Sequence, residues 1–328
     1  MPPLLSLCIP TFNRAQFLDA CLDSLRSTPA EVWESVEILI SDNASTDHTR
    51  EVVRKYEQKY RIRYFRNETN IGGERNFFAA AERASSDHVW VFGDDDLFDE
   101  GALSRILPYL RSGCDLIIVN YAIWSKEMDK LLRPSSLPST SDKLFTNHDD
   151  VLQTFGVHLG YISSIVVRKG IMLAAPPADR EKYIAYGFPH MYSIYCGLPA
   201  RCHAAYISTV LFRNRSGNCE GFIGEEAQPR WIKYFIEGTA LIFEELERRG
   251  YSPVAVLGAK NLLLSESGVG SVLTVIHSIG HLELLRFMNQ HYGRIRRFWT
   301  HWLPVLLLPA FMSQSLYSLY RRMRGQAS

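Results

Sequence analysis

Short apolar runs alternate with amphipathic stretches along the first 120 residues of the chain. Runs rich in β-branched and aromatic side chains are typical of strands that are buried on both faces of a parallel sheet. The predicted strands are Leu4–Ile9, Val36–Ile40, Ile62–Phe65, Val89–Phe92 and Asp115–Asn120. The segments between and after them are predicted to be helical over Asn13–Leu25, Asp47–Tyr60, Phe77–Ala84 and Asp99–Leu110. This alternation predicts an α/β fold, with a mostly parallel sheet covered by helices on both sides.

Polar clusters follow three of the predicted strands. Thr11 follows the first, Asp42 follows the second, and the acidic triplet Asp94–Asp96 follows the fourth. The carboxyl ends of parallel strands lie at one edge of a sheet, where open α/β sheets bind ligands, so we expect these side chains to converge. Adjacent carboxylates raise each other's pKa, and a hard cation such as Mg²⁺ or Mn²⁺ offsets their repulsion. The triplet therefore predicts a metal site, with a solvated acidic turn as the alternative.

The remainder of the chain changes character twice. Residues 121–150 are rich in Pro, Ser and polar side chains, which predicts a mobile loop, and Tyr161–Arg168 is predicted to return to the sheet as a strand. Beyond Pro229 the pattern is helical, with one amphipathic helix that ends near Gly250 and further helices over 253–266 and 271–290. We therefore divide the chain into residues 1–120, 121–225 and 226–328.

Composition excludes several classes of protein. The formal net charge is +1, so the chain lacks the strong positive charge of a nucleic-acid-binding protein. The six cysteines are scattered without CxxC spacing, which indicates a reduced, cytoplasmic protein without a zinc site. The first strand is followed by neither GxGxxG nor GxxxxGK[ST], which disfavours dinucleotide-binding and P-loop enzymes. The N-terminal residues do not have the pattern of a signal peptide.

Four motifs together resemble one known family. They are SLCIPTFNR at residues 6–14, ISDNASTD at 40–47, NIGGERN at 70–76 and GDDD at 93–96. In this order and spacing they resemble family 2 glycosyltransferases with the Rossmann-like GT-A fold, and in particular bacterial O-antigen enzymes of the abequosyltransferase type. The resemblance covers about the first 120 residues and is specific for the fold and the donor class, not for the acceptor.

The resemblance implies a nucleotide-diphosphate sugar as donor and a divalent metal as cofactor. Pro10 and Thr11 would border the nucleoside, Asp42 would accept a hydrogen bond from the base, and Arg75 would approach the ribose or the diphosphate. A plain Asx turn at Asp42 and a solvated cation at Arg75 are the alternatives. The donor-binding residues implied are Pro10, Thr11, Asn13, Arg14, Asp42, Asn43, Asn70, Gly72, Arg75, Asp94 and Asp95, and the implied metal ligands are Asp94, Asp95 and Asp96.

The chain departs from the family pattern in two places. Gly93 stands where the first aspartate of the usual motif would be, so that Asp95 and Asp96, or Asp94 and Asp96, remain as the frame for metal and diphosphate. The Glu-Asp pair that carries the catalytic base in the family is absent from its expected position. His190, which follows Pro189 at a predicted helix start, falls there and is our predicted base, with Asp96 as the second catalytic residue. A structural histidine, Asp179 and Glu181 are the alternatives.

Two further segments have candidate roles. The basic stretch Arg213–Asn218 is predicted either to hold a phosphate or to form a plain turn. The tail after Arg294 combines Trp, Tyr and Arg side chains with an apolar stretch that Pro residues interrupt. This composition suits a segment that lies in the membrane interface, and a helix packed on the protein core is the alternative.

The function implied is metal-dependent transfer of a sugar to a glycan or lipid-linked acceptor, with inversion of configuration, in bacterial polysaccharide synthesis. Its expected place is the cytoplasm or the cytoplasmic face of the inner membrane, and no nucleic-acid partner is expected. The alternatives are a non-catalytic protein that binds nucleotide sugars, and a sugar nucleotidyltransferase. The second lacks the glycine-rich signature that it needs after the first strand.

Overall fold

A computed structural model describes residues 2–217, 232–266 and 281–325. The chain divides into two compact units, of which the first comprises Met1–Val151 and His158–Asn218 and the second Leu152–Val157 and Cys219–Ser328. The predicted regions 1–120 and 121–225 fall mainly in the first unit, and the region 226–328 lies in the second.

A ten-stranded mixed sheet forms the centre of the first unit. Its strands are β1 (Leu5–Thr11), β2 (Val36–Asp42), β3 (Ile62–Arg66), β4 (His88–Val91), β5 (Leu97–Phe98), β6 (Leu116–Trp124), β7 (Leu131–Arg133), β8 (Lys143–Asn147), β9 (Ile165–Arg168) and β10 (Arg201–Arg215). The order is β3-β2-β1-β4-β9-β6-β10-β5, with β7 paired to β6 and β8 paired to β10. Strands β1 to β4 are parallel, as are β6 and β10, whereas β9 runs antiparallel between β4 and β6.

Helices flank this sheet, as the sequence predicts. They are α1 (Ala15–Ser24), α2 (Thr49–Glu57), α3 (Gly73–Arg83), α4 (Ala102–Arg111), α5 (His148–Phe155), α6 (Lys169–Met172), α7 (Pro177–Ile184) and α8 (Pro189–Gly197). Every residue of β1 and β2 is buried, which agrees with their continuous apolar runs. The predicted α/β class with a mostly parallel, helix-covered sheet is confirmed.

Pro10 does not end the first strand as its sequence suggests. β1 continues through Pro10 to Thr11 and pairs there with β2, whereas the pairing of β1 with β4 stops at Cys8 and Val91. At Pro10 the strand therefore has a ladder partner on one side, which is where a sheet tolerates a residue without an N–H group.

The first helix begins later than its sequence suggests. Asn13 has a left-handed backbone (φ 52°), and α1 begins two residues later, at Ala15. The backbone N–H of Ala15 donates to Asp47 Oδ2 at 2.9 Å, and Thr49 at the start of α2 donates both its N–H and its hydroxyl to Asp47 Oδ1. One carboxylate thus caps two helices.

The stretch predicted as a mobile loop contains two strands, β7 and β8. Asn120 Oδ1 accepts hydrogen bonds from the backbone of Ser136 and Leu137, and Asp142 Oδ1 accepts from the backbone of Ser208 in β10. Polar side chains, which suggested solvent exposure, instead attach this segment to the sheet. The strand predicted at Tyr161–Arg168 is shorter than expected, because a 3₁₀ turn occupies Ile162–Ser164.

The second unit is helical. A π-helical turn (Ile232–Gly238) leads into α9 (Thr239–Arg248), and then come α10 (Pro253–Glu266), α11 (His281–Tyr292), a second π-helical turn (Phe298–Trp302), α12 (Leu303–Leu306) and α13 (Ala310–Gly325). Their buried faces form one apolar cluster that includes Ile236, Leu263, Met288, Phe298 and Trp302. Parts of two predicted helices, at Pro229–Trp231 and 271–280, lie outside the described residues.

Among the described residues, no single helix has the length and apolar character needed to cross a bilayer. One bent pair, Phe298–Leu306 with Phe311–Leu319, meets the criterion of length and composition jointly, with an angle of 101° between its halves.

Candidate active site

The ends of β1 and β4 meet through the side chain of Asp94. Thr11 donates its hydroxyl hydrogen to Asp94 Oδ2 at 2.7 Å, and Arg14 Nη1 donates to Asp94 Oδ1 at 3.0 Å. Thr11 also lies beside Asp42 in the pairing of β1 with β2. The predicted convergence of Thr11, Asp42 and the acidic triplet at one sheet edge is therefore confirmed.

The third carboxylate of the triplet has a separate set of donors. Asp96 Oδ2 accepts a hydrogen bond from the Tyr161 hydroxyl at 2.5 Å, and Oδ1 accepts from Asn214 Nδ2 at 3.1 Å and from the backbone N–H of Arg215 at 3.2 Å. Asp94 and Asp96 are 4% and 1% exposed, whereas the side chain of Asp95 is 16% exposed and lies 3.4 Å from Arg14 Nη1. The triplet therefore has two inward carboxylates and one that reaches the surface.

Burial changes the acidity of the two inward carboxylates. It raises the pKa of Asp94 to about 6, although Arg14 and Thr11 act in the opposite direction. Burial and the adjacent charge of Asp95 also raise the pKa of Asp96. Additional positive charge at this edge would favour the ionised triplet.

Gly93 stands where the family has an aspartate, and a side chain there would be crowded. A Cβ atom there would lie 3.1 Å from Asp95 Oδ1, 3.2 Å from Asp96 Oδ2 and 3.3 Å from Ser163 Oγ. The Gly93 N–H donates to the same serine oxygen at 2.9 Å. Because position 93 has no side chain, the carboxylates of Asp95 and Asp96 can lie close to its backbone.

A second hydrogen-bonded group shapes the loop after β3. Asn43 Nδ2 donates to Asn70 Oδ1 at 2.7 Å, and that oxygen also accepts from the Gly72 N–H at 2.9 Å. Asn43 Oδ1 accepts from the Ile71 N–H at 3.0 Å. Gly72 has φ of 89°, a conformation that favours glycine, so the loop reaches α3 in a defined shape.

Asp42 is buried and its carboxylate accepts hydrogen bonds from within the protein. Oδ1 accepts from the Ser45 N–H at 2.8 Å, and Oδ2 accepts from the Tyr64 hydroxyl. This local turn fits the Asx-turn alternative, and the predicted contact with a base stays a prediction. Arg75 contacts Glu181 through two hydrogen bonds and donates through Nη1 to the Ile71 carbonyl at 3.1 Å.

Residues 6–171 match the profile of the family described as Glycosyl transferase family 2, which covers half of the chain. The chain belongs to this family. It is 31% identical over 200 residues to abequosyltransferase RfbV of Salmonella typhimurium, covering 58% of this chain and 59% of the relative. It is 33% identical over 113 residues to a GalNAc(5)-diNAcBac-PP-undecaprenol beta-1,3-glucosyltransferase of Campylobacter jejuni, covering 34% of this chain and 36% of that one. The chain thus spans less than two thirds of either relative.

The fold resembles that of the mannosyltransferase PcManGT from Pyrobaculum calidifontis, solved in complex with GDP-Man and Mn²⁺. The TM-score is 0.53 at 14% identity, and the match covers 98% of this chain and 88% of the other. At this identity the likeness establishes the fold, and the predicted GT-A architecture is confirmed.

The family resemblance implies a divalent metal. Which residues fit such a metal depends on the oxygen atoms that the site offers as ligands. Among residues 2–217, 232–266 and 281–325, no group of three or more His, Cys, Asp or Glu side chains is arranged to hold a metal. Asp94 and Asp96 already accept hydrogen bonds on both oxygens. Magnesium commonly binds through one or two carboxylates together with substrate phosphates. The set therefore fits a metal held through Asp95 and a diphosphate, and it does not form a three-carboxylate cage.

His190 lies in α8, away from solvent. Its ring is 3% exposed, and Nε2 lies 3.0 Å from the Gly160 carbonyl oxygen, to which it donates as the neutral tautomer. Burial lowers the pKa of His190 to about 4, and the hydrogen bond to Gly160 acts in the opposite direction. These features match the structural alternative, because a base must reach the proton that it removes. The catalytic role of His190 stays a prediction.

Sequence reasoning missed three residues that contact the triplet or the glycine before it. Tyr161 and Asn214 bind Asp96, and Ser163 binds the backbone of Gly93. Asn214 lies in the basic stretch that we considered for phosphate binding. The other two precede β9, which enters the sheet antiparallel to its neighbours, and no local pattern indicates this entry.

The depressed pKa of His190 predicts a specific loss of stability in acid. The unfolded imidazole takes up a proton below about pH 6.5, whereas the buried one stays neutral until about pH 4. As the pH falls from 6.5 to 4, the free energy of unfolding of wild type should therefore decrease by about 3 kcal/mol through this residue. His190→Gln should not show this decrease. Urea unfolding across this pH range measures the difference. The control His48→Gln, at an exposed histidine, should keep the wild-type slope; an unchanged slope in His190→Gln would contradict the prediction.

Proposed function

We propose that the chain is a nucleotide-sugar-dependent glycosyltransferase that transfers a sugar to a glycan or lipid-linked acceptor in bacterial polysaccharide synthesis. The observation that carries this proposal is the hydrogen-bonded group of Thr11, Arg14 and Asp94 at the sheet edge, in which Arg14 also contacts Asp95, the most exposed carboxylate of the triplet. The names of the two relatives, an abequosyltransferase and a glucosyltransferase of a PP-undecaprenol-linked glycan, support the reaction and the acceptor class.

The donor would lie across the edge that β1, β2 and β4 share. Asp42 and the loop fixed by Asn43 and Asn70 are assigned to the nucleoside. Arg14 and Arg75 are assigned to the diphosphate, because guanidinium groups bind phosphate oxygens through paired hydrogen bonds. Pro10, Asn13 and Gly72 would shape this surface through the backbone.

The chemical requirement is to stabilise the charge that develops on the leaving diphosphate. A divalent cation bound with the substrate at Asp95 would supply part of this stabilisation. Arg14 lies within 3.4 Å of Asp95 and is fixed by Asp94, so its charge is already oriented toward the same position. An acceptor hydroxyl then attacks the anomeric carbon from the opposite side as its proton passes to a base, which inverts the configuration.

For the base we favour Glu181 over His190. Glu181 is 55% exposed in its side chain and contacts Arg75, which lies in the first turn of α3 beside the donor loop. Its contact with Arg75 lowers the pKa of Glu181 in the free protein. If Arg75 turns to the diphosphate when the donor binds, the carboxylate is released to accept a proton.

A second function, binding of nucleotide sugars without catalysis, is favoured by the absent Glu-Asp pair and by the burial of His190. The two functions differ in turnover. An assay for nucleotide release separates them, with UDP-, CDP-, GDP- and dTDP-sugars, Mn²⁺ or Mg²⁺, and lipid-linked acceptors. Binding of a donor without release under all of these conditions would support the second function.

Asp95→Asn should lower the rate of nucleotide release by about 10²-fold and weaken its dependence on the metal concentration, because it removes the outward carboxylate. The measurement is release as a function of Mn²⁺ for both proteins. The control is Asp87→Asn, an exposed aspartate just before β4. Equal rates and equal metal dependence in Asp95→Asn and wild type would contradict the proposed site.

Glu181→Gln should lower kcat by about 10²-fold or more, the usual effect of removing a general base. His190→Gln, assayed per folded molecule, should stay within severalfold of wild type. The matched control is Glu82→Gln, since Glu82 and Arg180 form a second ion pair between α3 and α7. A large loss in His190→Gln with an active Glu181→Gln would reverse the assignment.

We also propose that the tail rests on the membrane surface. Four large apolar side chains of residues 299–319 are at least half exposed: Trp299 (50%), Leu307 (62%), Phe311 (69%) and Leu319 (53%). The chain after Glu283 contains no acidic residue, and six arginines lie at positions 294, 296, 297, 321, 322 and 324. Exposed apolar side chains combined with positive charge are typical of segments that bind anionic lipid.

Replacing Leu307 and Phe311 together by Ser should lower the affinity for vesicles of phosphatidylcholine and phosphatidylglycerol by at least about tenfold, because two exposed apolar side chains that would insert into the lipid are lost. Co-sedimentation of the full chain measures this affinity. Val254→Ser, at a 69% exposed residue of α10, is the control. Wild type that does not sediment with these vesicles, or a double variant that binds equally well, would overturn the proposed contact.

A further inference from the structure

The second unit contains a polar cavity that the proposed reaction does not use. Its volume is about 550 Å³, and α9, α10, α11 and the residues just after α11 line it. The side chains that matter here are Glu244, Glu247, Lys260, Asn289, His291 and Arg294.

Three of these side chains form a neutralised group. Lys260 Nζ donates to Glu244 Oε1 at 2.8 Å and to the His291 carbonyl oxygen at 3.0 Å, and His291 Nδ1 lies 2.8 Å from the same Glu244 oxygen. Lys260 is 7% exposed, so its ammonium group is held in place beside the cavity. A buried lysine paired with a partly exposed carboxylate gives the cavity a polar wall on which the two charges balance.

The other charged lining residues behave differently. Glu247 and Arg294 are exposed, and neither forms an ion pair or a side-chain hydrogen bond within the part of the chain that the structure describes. The cavity therefore offers one carboxylate and one guanidinium that are available to a ligand, together with the amide of Asn289. A ligand that satisfies both charges carries a cationic and an anionic group on one small molecule.

The cavity lies next to the tail that we assign to the membrane surface, so a membrane lipid is a source of such a ligand. Gly293 lines the cavity, and its carbonyl oxygen accepts a hydrogen bond from Trp299 Nε1 at 2.7 Å. Trp299 is the first of the exposed apolar side chains of the tail, and Arg294 is the first of its arginines. The cavity thus adjoins the start of the surface that we assign to the membrane.

We propose that this cavity binds the phosphoethanolamine headgroup of a membrane lipid, with the phosphate at Arg294 and the ammonium group at Glu247. The choice of a lipid over a soluble ligand rests on the proposed contact of the tail with the membrane. Arginine suits a phosphate because its donors match the oxygens in pairs, and a carboxylate selects a primary ammonium group over a trimethylated one.

The test compares vesicles at constant phosphatidylglycerol content, in which phosphatidylethanolamine replaces part of the phosphatidylcholine. The affinity of the full chain should rise severalfold with phosphatidylethanolamine. Glu247→Gln should abolish this increase and keep the response to phosphatidylglycerol.

The matched pair Arg294→Gln and Arg296→Gln separates the cavity from the general charge of the tail. Each variant removes one tail charge, so both should weaken general binding equally. Only Arg294→Gln should abolish the preference for phosphatidylethanolamine. Glu245→Gln, on α9 and outside the cavity lining, should behave as wild type.

A soluble probe keeps this test independent of the membrane proposal. Glycerophosphoethanolamine should shift the NMR signals of Asn289 and the other lining residues in wild type, and glycerophosphocholine should shift them much less. Shifts without any vesicle binding would retain the cavity and reject the tail contact. Vesicle binding that ignores phosphatidylethanolamine, or a preference that survives in both Glu247→Gln and Arg294→Gln, would overturn the inference.

Discussion

The buried carboxylate of Asp94 connects the end of β1 to the turn after β4, and the arrangement of the site depends on this connection. An anion in the interior is costly unless hydrogen bonds and an opposite charge compensate it. Thr11 and Arg14 supply both, each on one carboxylate oxygen. Because Arg14 precedes α1, the same contact also fixes the beginning of that helix against the triplet.

The three consecutive aspartates acquire different environments through this connection. Asp94 faces β1, and Asp96 faces Tyr161 and the end of β10, so Asp95 is the carboxylate that reaches the surface. Gly93 permits this divergence, since a side chain there would occupy the space that the carboxylates of Asp95 and Asp96 fill. Protein donors hold the inward pair, and Arg14 also contacts the more exposed carboxylate of Asp95 at 3.4 Å. Burial raises the pKa of Asp94, and positive charge bound at this edge would favour its ionised form.

In the helical second unit, paired charges also lie beside more exposed charged side chains. Glu244 neutralises Lys260 in the wall of its cavity, and Glu247, one helical turn later, faces the opening unpaired among the described residues. In both units, buried polar groups that satisfy one another lie beside more exposed charged side chains, and the proposals for a ligand start from these exposed side chains. For the triplet we propose a cation with a diphosphate, and for the cavity a zwitterionic headgroup.

The sequence by itself determined the α/β fold, the strands that end at the ligand edge and the residues that gather there. These follow from local patterns, since a continuous apolar run and a polar cluster after it are properties of neighbouring residues. Tertiary structure alone decided that Asp47 caps α1 from 32 residues away, that β9 enters antiparallel and delivers Tyr161 and Ser163, and that His190 is buried. Each of these depends on contacts between distant segments. Hydrogen-bond partners and burial fix the role of a polar side chain, and neither is encoded in the residues next to it.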